Sequence, residues 1–176
     1  MTHRGPLAWL ILSLASGLMA APAAAAPDAA PDAVNGLSVA GWIERVWLQE
    51  DGKRVSVRAK LDTGAKSSSI NAPQYREFKR GGKTWLSFAV TNNKGQTIEI
   101  EAPLLRIARI RRAGVKVRER PVVELGICVG GHHGVTEFTL ADRSDLNYPV
   151  LIGRRFLKDR ILVDSGRSFS ASGLCK

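Results

Sequence analysis

The stretch Val55-Ser56-Val57-Arg58-Ala59-Lys60-Leu61-Asp62-Thr63-Gly64-Ala65 decides the reading of this chain. Val55, Val57, Ala59 and Leu61 alternate with polar residues, the period of a strand with one buried face. The strand delivers the Asp62 carboxylate into a turn, where Gly64 lets backbone or ligand approach closely. Thr63 is a β-branched hydroxyl that packs and hydrogen-bonds at once. A carboxylate at the end of a buried strand is costly unless it is paired, hydrogen-bonded or functional. On these residues alone, an ordinary strand end with Asp62 as turn-former accounts for the pattern as well as a site does.

The chain has 176 residues, enough for one domain with appendages. Thr2, His3 and Arg4 precede an apolar run from Leu7 to Ala20, and small residues follow at Ala21-Pro22-Ala23 and Ala24-Ala25-Ala26. That order predicts a secretory signal peptide over 1–26, and hence a periplasmic or secreted protein. The run is shorter than the ~20 apolar residues of a membrane span, so the mature protein is not expected to be an integral membrane protein. Residues 27–38 read as a flexible leader, 39–170 as the domain and 171–176 as a tail. The formal net charge is +10, and removal of 1–26 takes away only Arg4 among the charges. Such a balance calls for an anionic partner. Outside the cytoplasm that partner is an acidic peptide or envelope component rather than nucleic acid. Cys128 and Cys175 form one disulfide in an oxidising compartment or remain two separate thiols, and both readings stay open.

Along the chain, strands are predicted over Val39–Leu48, Thr84–Val90, Thr97–Ala102, Val122–Val129, Val135–Leu140 and Ile161–Val163. Asp51-Gly52, Gly81-Gly82 and Asn93-Lys94-Gly95 mark hairpin turns. Pro73–Phe78 suggests one helical turn, and Gly130–Gly134 a loop carrying His132 and His133. Arg106, Arg109, Arg111, Arg112, Lys116, Arg118 and Arg120 place seven cations in fifteen residues, on two strands around Ala113-Gly114. They form either a solvated hairpin face or a docking surface for an acidic partner. No long 3.6-residue periodicity follows the signal peptide, so the domain is expected to be all-β and closed into a barrel.

Two ordered motifs then converge. Lys60-Leu61-Asp62-Thr63-Gly64-Ala65, followed late in the chain by Tyr148-Pro149-Val150-Leu151-Ile152-Gly153-Arg154-Arg155-Phe156-Leu157, resembles the retropepsin-like aspartic protease pattern. With Gly41-Trp42 and Glu137-Phe138-Thr139-Leu140-Ala141-Asp142-Arg143, most of 40–170 is similar to the bacterial retropepsin-like group long labelled ATP-dependent zinc proteases and often found with ATP-grasp peptide ligases. The label's zinc and ATP have no counterpart in the sequence, which lacks His-Glu-x-x-His and Gly-Lys-Ser/Thr. No cofactor and no metal are expected.

The resemblance implies a closed acid-protease barrel with one short helix after Gly153-Arg154. It implies a homodimeric aspartic endopeptidase in which Asp62 from each chain activates water for peptide hydrolysis. Thr63 would hydrogen-bond across the interface, Gly64 would admit the peptide backbone, and Ala65, Lys66, Ile152, Gly153 and Arg154 would support the turn or the substrate. Lys66 stands where retropepsins usually carry an acidic residue, close to Arg154. Gly81-Gly82 and Asn93-Lys94-Gly95 are both candidates for the flap. Asp164-Ser165-Gly166 reads as a strand end with a turn rather than a second active turn. The alternative function is a non-catalytic module of this fold that binds an acidic peptide or envelope protein through 106–120.

Overall fold

The computed structural model describes Met1 and residues 33–50, 52–112 and 115–175, apart from the side chains of 111–116. The predicted signal peptide, residues 27–32 of the leader, Asp51, the Ala113-Gly114 turn and the side chains of Arg111, Arg112 and Lys116 lie outside the described residues. The elements are β1 (Ala33–Val34), β2 (Leu37–Glu50), β3 (Lys53–Asp62), β4 (Ser68–Asn71), β5 (Arg76–Arg80), β6 (Lys83–Thr91), β7 (Thr97–Pro103), β8 (Arg106–Arg112), β9 (Val115–Val129), β10 (His132–Ala141), β11 (Val150–Gly153), α1 (Arg154–Leu157) and β12 (Ile161–Ser168).

Six of these strands close a barrel in the order β2-β3-β11-β4-β10-β9, and Val46↔Val129, Trp47↔Cys128 and Leu48↔Ile127 return β9 to β2. The all-β closed barrel with one short helix after Gly153-Arg154 is therefore the observed fold. Alternation sets which residues face inward. Val55, Val57, Ala59 and Leu61 are buried, and they meet Val46, Ile70, Phe138, Val150 and Ile152 in one core. Burying each larger aliphatic side chain contributes ~1.5–3 kcal/mol. That is ample to hold the register that carries Asp62 to the barrel's end.

The pairings around the Asp62 turn are mixed in direction. β11 runs parallel to β3 and antiparallel to β4, while β4 runs parallel to β10. Consequently Gly153 pairs with Asp62, and α1 starts beside the turn. A separate sheet, β5-β6-β7, buries Leu86, Phe88, Val90, Ile98 and Ile100 in the same core. Its Asn93–Gly95 tip is tied down by Asn92, which donates to the Ser56 carbonyl and accepts from the Lys94 and Gln96 backbone.

Several local expectations need correction. Pro73–Phe78 forms no helical turn, because Arg76–Arg80 is spent as an edge strand against Lys83–Ser87. The Gly130–Gly134 loop shrinks to a two-glycine turn (φ 54° and 81°), and His132 and His133 already belong to β10. Strand pairing starts at Ala33, inside the stretch expected as leader, through a turn at Asn35-Gly36 (φ 51° and 79°). Residues 171–175, the tail, are anchored to the barrel. The buried Glu44 carboxylate accepts the backbone N–H groups of Gly41, Ser170 and Ala171 at 2.8, 2.8 and 3.0 Å. Arg54 donates to the Cys175 carbonyl, and Cys175 is bonded to Cys128 in β9.

The bridge spans 47 residues. Loop-closure entropy for that span is worth about 4 kcal/mol. Reduction by thiol is therefore expected to lower the denaturant midpoint substantially, as followed by tryptophan fluorescence in oxidised and reduced samples. An unchanged midpoint would mean that the bridge does not constrain the unfolded chain.

Candidate active site

Asp62 ends β3 with its side chain 24% exposed, while Thr63 and Gly64 are open to solvent. The carboxylate is oriented locally. The Gly64 N–H donates to Asp62 Oδ1 at 2.9 Å, and Lys60 Nζ lies 3.4 Å from Oδ2. The Ala65 N–H closes the turn onto the Asp62 carbonyl at 3.3 Å.

The late motif braces that turn from below. The Arg154 N–H donates to the Ala65 carbonyl (2.8 Å) and the Arg155 N–H to the Lys66 carbonyl (3.2 Å). The Arg154 guanidinium reaches the carbonyls of Thr63 and Gly64 at 3.0 and 3.1 Å. The Gly153 N–H donates to the buried Ser68 hydroxyl, and Ile152 is fully buried. A Cβ on Gly153 would stand 2.6 Å from the Ser67 carbonyl group, so only glycine permits this approach. Sequence reading placed Asp62, Thr63, Gly64, Ala65, Lys66, Gly153 and Arg154 together, and the structure assembles them. It also gives Arg154 a role beyond charge: it caps two turn carbonyls. Thr63, Lys66 and Arg154 border a cleft of about 610 Å³ with Leu157 and Ile161.

Of the two candidate flap turns, one is placed away from Asp62 by its anchor. The Asn93–Gly95 tip is pinned at Ser56, six residues or roughly 20 Å along β3 from the aspartate. Gly81-Gly82 forms the turn that joins β5 to β6 in the separate sheet. The basic β8–β9 hairpin is linked to Asp62 through a chain of charges. Arg118 and Arg120 act electrostatically on Asp142, and Arg120 acts on Arg143, which is itself in Coulombic range of Asp62. The hairpin is not a uniform stripe of open cations. Arg106 pairs with Glu137 and Arg109 with Glu119. Asp164 repeats the local geometry of Asp62, accepting the Gly166 N–H at 2.8 Å, but in an exposed bulge against β2. His132 bonds Ser38, and no group of three metal-ligating side chains occurs among the described residues. Lys60 and Arg143 are the site neighbours that sequence reading left without a role. Arg143 lay inside a quoted motif, but only tertiary packing sets its position.

With this barrel and this turn, the fold and the site define a retropepsin-like protein. The chain belongs to the RimB-like family, described as retropepsin-like aspartic endopeptidase RimB, whose model matches residues 39–173. It is similar to a protein named probable alpha-L-glutamate ligase from Shewanella halifaxensis, 32% identical over 117 residues, covering 65% of this chain and 26% of that protein. A protein of the same name from Parasynechococcus marenigrum is 30% identical over 112 residues, covering 62% and 24%. The chain thus spans about a quarter of the length of these curated relatives. Among solved structures it resembles Lpg0085 of Legionella pneumophila, a protein of unknown function, at a TM-score of 0.65 and 30% identity over 76% of this chain and 97% of that one.

Glu137 ties this end of the molecule together, receiving Arg106 from β8 and Arg155 from α1. The Arg106 hydrogen bond, helped by the charges of Arg106 and Arg155, holds its carboxyl below its ordinary value of 4.5 against the opposing effect of burial. A depressed carboxylate stabilises the fold above its unfolded-state value, and that contribution is lost as pH falls through the folded value. Glu137→Gln is therefore expected to cost about 0.5–1 kcal/mol at pH 7, and the deficit should shrink as pH falls below the ordinary carboxylate value and through the lowered folded one. Urea melts across that range test this; a deficit independent of pH would contradict it.

Proposed function

We propose that this protein is an aspartic peptidase acting on acidic, glutamate-bearing peptides, with Asp62 activating the attacking water. The observation that carries the reading is the presentation of Asp62: a partly open carboxylate at the end of a buried strand, oriented by the Gly64 N–H and braced by Arg154. One carboxylate cannot both deprotonate water and protonate the carbonyl. A two-fold dimer supplies the second as Asp62 of another copy. Carboxylates ~3 Å apart cannot both ionise, so they share one proton. The ionised member takes a proton from water as the oxygen attacks the carbonyl carbon. The protonated member gives its proton to the carbonyl oxygen. Proton return to the amide nitrogen then releases the amine as the C–N bond breaks. Thr63 steadies the pair across the interface, and Gly64 leaves room for the peptide backbone.

The acidic substrate class is supported by the net charge, by the cations gathered near Asp62, and by the glutamate-ligase names of the similar proteins. The signal-peptide pattern supports action in the periplasm or outside the cell. A binding-only module is the second reading. Lys66 favours it, since it puts a cation beside the turn where retropepsins carry an acid.

Asp62→Asn is expected to lower hydrolysis of a glutamate-rich peptide by at least about 10²–10⁴-fold, with the melting temperature nearly unchanged. Cleavage products resolved by mass spectrometry provide the readout. If the variant cleaves as fast as wild type, the aspartic mechanism is wrong. If neither protein cleaves but both bind the peptide, the second reading holds.

A further inference from the structure

Arg143 follows β10 in the segment that leads to β11, and its side chain is half-buried. Its Nε donates to the Tyr148 carbonyl at 3.1 Å and its Nη1 to the Ser69 hydroxyl at 2.9 Å. Its backbone N–H donates to Asn71 Oδ1 at 2.7 Å. All three acceptors are formally neutral. Among the described residues no carboxylate lies within ion-pair distance of Arg143, and no acceptor meets its Nη2. By contrast Arg106 and Arg155 share Glu137, and Arg154 caps the active turn. A partly buried cation with no ion-pair partner carries a desolvation cost that the more distant Asp62 only partly offsets. Here the guanidinium is also fixed in orientation, so one edge remains presented for a further acceptor.

The register places Ser69, the anchor of the guanidinium, on the same face of the sheet as Asp62. Lys60 pairs with Leu151 and Leu151 with Ser69, while Asp62 lies two residues beyond Lys60 on the same face of β3. Neighbouring strands are ~4.8 Å apart and same-face residues ~6.7 Å apart. These spacings put Ser69, which anchors the guanidinium, roughly 12 Å from Asp62, a gap that the long arginine and glutamate side chains can bridge from one or two positions along an extended peptide.

We infer that Arg143 is a specificity-determining residue that takes the carboxylate of an acidic side chain one or two residues from the scissile bond. The inference rests on the peptidase reading for the identity of the scissile bond, but not for the binding of the acidic side chain. The free Nη2 edge suits a carboxylate, which a guanidinium binds through directed, charge-assisted hydrogen bonds. Burial and the neighbouring Arg120 both lower the pKa of Arg143, whereas Asp62 raises it. An arriving carboxylate would relieve that strain on the cation. Arg118 and Arg120 also border a neighbouring cleft of about 330 Å³ with Tyr75, Glu119, Pro121 and Asp142.

The test measures binding to Asp62→Asn protein, so that it does not depend on turnover. Two synthetic peptides are used, identical except for glutamate or glutamine at the positions flanking the central bond. The glutamate peptide is expected to bind at least tenfold more tightly, and Arg143→Gln added to Asp62→Asn should bring that ratio close to one. A purely structural role for Arg143 would weaken both peptides alike and leave the ratio standing, which would overturn the inference. Where Arg143→Gln fails to fold, Arg143→Lys takes its place. It keeps the charge, loses the planar fork, and should reduce the ratio several-fold; an unchanged ratio would again overturn the inference. Absence of cleavage by the wild-type protein, with the glutamate preference still dependent on Arg143, would count against the peptidase reading alone.

Discussion

The close approach of β11 to the backbone of 65–67 is the constraint on which the rest of this structure depends. Gly153 lies where any side chain would collide with Ser67 and Ala65, and it pairs with Asp62 across two parallel strands. That contact lets α1 begin directly beneath the turn, so that the first two helical N–H groups are satisfied by the carbonyls of Ala65 and Lys66. The core fixes β3, Gly153 fixes β11 against it, and the turn between them has little freedom left. Preorganisation of this kind is what a carboxylate needs if it is to meet a peptide carbonyl in a defined direction.

Electrostatics then gives the site its character. Asp62 sits beside Lys60, within range of Arg143, and above an arginine consumed by the turn's own carbonyls. The pairing of Lys66 with Arg154, which looks repulsive in the sequence, is accommodated by sending the Arg154 guanidinium onto Thr63 and Gly64 while Lys66 points to solvent. The excess of cations is uneven in consequence. Arg106, Arg109 and Arg155 are neutralised by glutamates, whereas Arg143 is held by neutral groups. A charge count alone does not separate these two kinds of arginine; their partners do.

Much of the barrel was legible in the chain because alternation in 55–61 and the Gly153-Arg154 motif are local signals with local causes. The closed barrel, the short helix and the gathering of both motifs followed from them. What failed was set by distant partners. Arg76–Arg80 becomes a strand only because Lys83–Ser87 is there to pair with it. Glu44 reads as an unremarkable polar residue in β2, yet its buried carboxylate anchors Ser170 and Ala171, some 126 residues away in sequence. The glycines at 130–131 signalled a turn correctly, but not that the histidines after it would start a strand. Arg143 was visible as part of a motif, and its orientation depends on Ser69 and Tyr148, which no spacing rule brings to it.

In the proposed mechanism Asp62 is half of a proton-sharing pair, so the separation of two such carboxylates is the quantity to measure. A crystal structure of the protein with a non-hydrolysable glutamate-bearing peptide would give it. The result expected is a two-fold dimer with Asp62 carboxylate oxygens about 3 Å apart and the peptide backbone lying across both. Copies whose Asp62 carboxylates are separated by bulk solvent, with the peptide bound elsewhere, would contradict it.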